Sequence, residues 1–68
     1  MNAARLTAMA NQIAANLAAQ GAEKAARETA EHIRSFWDPS MRAAFLKAGP
    51  EGLSAIAQAA FEQLNTGR

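Results

Sequence analysis

An Asp-Pro pair stands at residues 38–39, near the middle of the chain, and no helix runs undisturbed through it. Proline lacks the N–H that the next helical hydrogen bond needs, and it pushes the preceding residue out of the α region. The same pair opens a helix well, because aspartate is a good N-cap and proline suits the first helical position. Gly21 and the Gly49-Pro50-Glu51-Gly52 turn punctuate the sequence elsewhere. Between these breaks the apolar residues recur at helical spacing, with no alternating strand pattern. The expected fold class is therefore all-α, a small bundle or orthogonal array of about four short helices forming one domain over residues 1–68.

Asn2 is placed to cap a first helix that runs to about Gln20 and stops at Gly21. Leu6, Met9, Ile13 and Leu17 form its apolar stripe, with Ala10 beside them. From Leu6 to Ala22 there is no charged residue, and the back carries Thr7, Asn11, Ala14, Ala15 and Ala18. Such a face either meets water as an alanine-rich surface or meets a second surface. Small residues permit close approach, and uncharged polar groups desolvate more cheaply than ions.

The second helix is expected over Ala22–Phe36, burying Ala26, Thr29, Ala30, Ile33 and Trp37 behind a charged back. Glu23 suits its start and His32 and Arg34 its end. Glu23 with Arg27, and Glu28 with His32, stand one turn apart. A third helix from Pro39 to about Ala48 carries Met41, Ala44, Phe45 and Leu46. A fourth opens at Leu53 or Ser54 and presents Leu53, Ile56, Ala57, Ala60, Phe61 and Leu64. Asn65-Thr66-Gly67-Arg68 is expected to fray.

Half of the 68 residues are apolar, but alanine dominates them, so the large side chains available for a core are few. No cysteine is present to form a disulfide, and no metal-ligand cluster is readable. A partner protein, or self-association, is expected to supply part of the stability. The net charge of +1, with basic and acidic residues interspersed, shows none of the basic striping of a nucleic-acid binder. Thr7, Asn11, Gln12, Asn16 and Gln20 break up the first twenty residues, so neither a membrane span nor a signal peptide is expected there. A cytoplasmic location is the expectation.

Catalysis finds little footing. One histidine and no cysteine leave no ordinary nucleophilic arrangement and no ordinary zinc site. Gly49 and Gly52 flank a proline turn and match no phosphate-cradling spacing. His32 at a helix end and Asp38 before Pro39 are better explained as a helix-end residue and a cap.

The chemically rich stretch is His32-Ile33-Arg34-Ser35-Phe36-Trp37-Asp38-Pro39-Ser40-Met41-Arg42. Phe36 and Trp37 are adjacent, and helical neighbours point about 100° apart, so one of them is expected near the surface. Trp37 stands where a hydrophobic staple would reach Arg42. Tryptophan and arginine are enriched at binding hot spots. The expectation is a composite contact surface of Trp37 and Arg42; the opposing possibility is that Phe36 and Trp37 both plug the core.

The same stretch, with Met9-Ala10-Asn11-Gln12-Ile13-Ala14 and Gly52-Leu53-Ser54, resembles the delta subunit of NAD-dependent, molybdenum-containing formate dehydrogenases. Phe-Trp-Asp-Pro-x-Met-Arg is the most specific segment. Two departures stand out: Ser40, where a second basic residue is usual, and Asn16-Leu17, at a position often aromatic. The resemblance implies a non-catalytic accessory subunit of a bacterial cytoplasmic complex, with no cofactor of its own. It implies that the alpha subunit, carrying molybdopterin and iron-sulfur clusters, is the partner. Through it the chain would join the beta and gamma subunits, which carry FMN and further clusters toward NAD. Partner contacts are then expected at Asn11, Gln12, His32, Phe36, Trp37, Asp38, Pro39, Met41 and Arg42. The rival expectations are a free-standing maturation chaperone or small protein-binding module, and a helix-turn-helix nucleic-acid binder using Arg42 and Lys47.

Overall fold

The structure is a computed structural model and describes residues 2–66. Four α-helices follow one another: α1 (Ala3–Leu17), α2 (Ala22–Phe36), α3 (Pro39–Ala48) and α4 (Ala55–Asn65). Among the described residues there is no strand, as the periodicity predicts. The breaks lie where the sequence places them. The Asn2 side chain accepts from the Ala4 N–H at 2.8 Å and opens α1. Its α-helical part ends at Leu17, earlier than expected, because Ala18–Gln20 tighten into a 3-10 turn before Gly21. Gly21 then reverses the chain at φ 98°, a conformation that side-chain-bearing residues avoid. Ser54, not Leu53, caps α4, its hydroxyl accepting from the Ala57 N–H at 3.3 Å. Of the expected frayed end, Asn65 closes α4 and Thr66 caps it, while residues 67–68 lie outside the described residues.

The most extensive interface joins α2 and α4, and α1 packs across both and against α3. Every residue expected on the inner side of α2 is buried, and Ala25 joins them. At the joints an aromatic chain runs through the interior: Trp37 meets Phe45 edge-on at 5.4 Å, and Phe45 meets Phe61 at 5.4 Å. Edge-to-face rings of this kind add about 0.5–1.5 kcal/mol per pair beyond the area they bury. The radius of gyration, 10.4 Å, is slightly below the about 11 Å expected for a chain this long, so the four helices pack closely.

Two details depart from the sequence expectation. The buried line of α1 is Leu6, Ala10 and Ala14, while Met9, Ile13 and Leu17 flank it half-buried. Alanine in the centre lets the neighbouring helices approach, and the larger side chains fill the wedges on one side. On α2, Glu28 turns to Lys24 at 4.0 Å and not to His32. Thr29 is fully buried, and its hydroxyl has no hydrogen-bond partner.

Candidate partner-binding surface

The α2–α3 corner is built by its own sequence. The Asp38 carboxylate accepts from the Met41 N–H at 2.9 Å and from the Ser40 hydroxyl at 2.8 Å. Those two bonds, the backbone one first, hold the Asp38 pKa below its ordinary value, and the nearby Arg42 charge acts in the same direction. Ser40 thus reinforces the cap. Pro39 occupies the first position of α3, as expected.

Trp37 is the C-cap of α2, with extended backbone (φ −88°, ψ 139°). Leaving the helix at this residue turns the indole inward, and Trp37 is only 4 % exposed. Phe36, still helical, is 74 % exposed. One of the two adjacent aromatics does face outward, but it is the phenylalanine. The helical-wheel argument gives the divergence correctly and misplaces the partner, because Trp37 no longer follows the helical path. The expected Trp37–Arg42 surface is therefore not what the corner presents. Arg42 is half-buried, and its Nη1 donates to the Arg34 carbonyl at 2.8 Å and the Trp37 carbonyl at 3.3 Å. These carbonyls lie at the negative end of the α2 dipole, where a guanidinium is attracted. Arg42 ties α3 to the end of α2.

The remaining expected contact residues divide into two groups. His32 lies exposed on α2 one turn before Phe36, the two rings 4.6 Å apart and inclined at 35°. Met41 packs half-buried against the core. On α1, Gln12 is exposed and donates to Asn16 Oδ1 at 3.1 Å along the same helix. Asn11 makes a tertiary clamp: its Nδ2 donates to the Gly52 carbonyl at 2.9 Å and its Oδ1 accepts from the Ser54 N–H at 2.8 Å. Gly52 has φ 81°, and a Cβ there would lie 3.4 Å from Thr7 Cγ2. Part of the uncharged face of α1 thus meets the α3–α4 connection within the chain. Farther along, Ala14, Ala15 and Ala18 line a groove with Ser54, Ala55 and Ile56. A second depression, which the sequence reading did not single out, is lined by Leu17, Glu28, Glu31, His32, Ser35 and Phe36.

Residues 5–61 match the family described as NADH-dependant formate dehydrogenase delta subunit FdsD. The chain belongs to this family. The matched segment takes in most of α1, all of α2 and α3, and α4 through Phe61. No curated protein and no solved structure shows significant similarity to the chain. For a delta-subunit family member, the described residues are all helix and connection, with no group of three or more His, Cys, Asp or Glu able to hold a metal ion. No described helix is long and apolar enough to cross a membrane.

Proposed function

We propose that this delta-subunit family member is a non-catalytic accessory subunit of a cytoplasmic NAD-dependent formate dehydrogenase complex. Its partner is the large alpha subunit and, through it, the beta and gamma subunits, which together carry the molybdopterin, iron-sulfur and FMN groups. The family match over residues 5–61 carries this reading. The mechanism is linkage: a module that binds the folded or cofactor-loaded enzyme, and not the unfolded chain, shifts the population toward the bound state by mass action. The exposed Phe36 supplies apolar area whose burial favours binding.

A tagged copy expressed in the native host tests this. Stoichiometric recovery of formate dehydrogenase subunits with active enzyme supports an accessory subunit. Recovery only with immature large subunit, and loss from the finished enzyme, converts the reading to a maturation chaperone. Recovery of no oxidoreductase subunit overturns it.

A further inference from the structure

Phe36 is the large hydrophobic residue that the described fold leaves exposed, and it does not stand alone. His32 stacks beside it at 4.6 Å, and half-buried Leu17 extends the apolar floor from the end of α1. The charged side chains lining this depression are Glu28 and Glu31, both acidic. Glu28 has an ion-pair partner in Lys24, at 4.0 Å and exposed, a contact of the kind that contributes little and is readily exchanged. An aromatic shelf bordered by carboxylates is complementary to an apolar side chain flanked by cations. Neither the cap chemistry of the corner nor the core cluster uses Glu28, Glu31, His32 or Phe36.

We propose that the Phe36–His32 shelf is the docking site for a basic-apolar segment of the partner protein. In that segment an aliphatic or aromatic side chain seats on Phe36 and Leu17, and a lysine or arginine engages Glu28 and Glu31. The proposal rests on the accessory-subunit reading and places its contact on the outer face of α2, away from the alanine groove between α1 and α4. Burying an exposed aromatic at the centre of an interface gives the affinity; the carboxylates give orientation and a salt-dependent rate of association.

The test measures binding of the chain to formate dehydrogenase complex purified from a host lacking it, with circular dichroism of each variant to verify folding. Phe36→Ala is expected to keep full helicity, since the ring is exposed and alanine favours helix, and to weaken binding about tenfold or more. Glu28→Lys/Glu31→Lys is expected to weaken it as well and to invert the salt dependence of association expected of the unsubstituted chain, because the reversed charges repel the basic segment and salt screens that repulsion. Ala15→Glu, which places a charge in the alanine groove, is expected to bind normally. If the unsubstituted chain binds while Phe36→Ala and the double variant bind equally well, the shelf is not the docking site. Loss of binding in Ala15→Glu alone moves the interface to α1 and overturns the proposal. If the unsubstituted chain itself fails to bind, the accessory-subunit reading falls, and the shelf proposal falls with it.

Discussion

The clamp made by Asn11 is the tertiary hydrogen-bond pair that holds α1 to the connection between α3 and α4. Asn11→Ala deletes both bonds, at 2.9 and 2.8 Å, and leaves the Gly52 carbonyl and the Ser54 N–H to water. Two such bonds are worth about 1–3 kcal/mol, and because both backbone partners are exposed the low end applies. Alanine is also the better helix former by about 0.6 kcal/mol, which offsets part of the loss. The net expectation is destabilisation of roughly 0.5–1 kcal/mol, from the low-end bond loss less the helix gain. Asn16→Ala supplies the control: Asn16 is exposed on the same helix and bonds only to Gln12 within it, so that variant keeps the helix gain without a tertiary loss. Urea unfolding followed by far-ultraviolet circular dichroism gives both midpoints. Asn11→Asp sharpens the test, since its carboxylate still accepts from Ser54 N–H near the positive end of α4 but opposes the Gly52 carbonyl with a second acceptor. It is expected to fall between the wild type and Asn11→Ala at neutral pH. Equal midpoints for Asn11→Ala and Asn16→Ala would refute the clamp.

Trp37→Ala removes a buried ring and its edge-on contact with Phe45, a loss of about 3–5 kcal/mol in a small domain, and is expected to abolish cooperative thermal unfolding; a variant that melts like the wild type would put the indole outside the core. Thr29→Val replaces a buried, unpartnered hydroxyl with a methyl of nearly the same shape and is expected to raise stability by about 1 kcal/mol, read as a higher Tm by calorimetry. A lower Tm would mean that the hydroxyl has a partner in solution. The Asp38 pKa is lowered by folding, so its contribution is present in full above the unfolded-chain pKa and is lost as pH falls through the lower folded value. Asp38→Asn keeps a capping oxygen without the titration, and its stability-versus-pH curve is expected to be flatter on the acid side than that of the wild type.

The parts of the fold written in backbone chemistry were legible in the sequence. Gly21, Asp38-Pro39 and the Gly49–Gly52 turn act locally, through φ preferences and a missing N–H, and each joint between successive helices falls within a few residues of one of them. The inner side of α2 was legible because its large and small buried residues share one stripe. On α1 the periodicity drew attention to Met9, Ile13 and Leu17, since size dominates hydropathy, whereas the packed line runs through Ala10 and Ala14. Which helix face sits innermost depends on how near the neighbours come, and that distance is a tertiary quantity. The Asn11 clamp left only a faint trace: asparagine is disfavoured inside helices because its side chain seeks backbone groups, and here it finds them 41 and 43 residues away.

Phe-Trp-Asp-Pro-x-Met-Arg, the segment that carries the family resemblance most specifically, turns out to divide by role. Trp37 fills the core, Asp38 and Pro39 start α3, Met41 packs against the interior, and Arg42 holds the last carbonyls of α2. Phe36 alone among its larger apolar side chains points outward. A substitution at Trp37 or Arg42 that weakens assembly would therefore act through the fold, by loosening the corner on which α2 and α3 turn. One at Phe36 would leave the corner intact and remove only exposed surface. Helicity and partner affinity measured together separate the two cases. The motif identifies an architecture first, and Phe36 is the large apolar side chain which that architecture leaves uncovered.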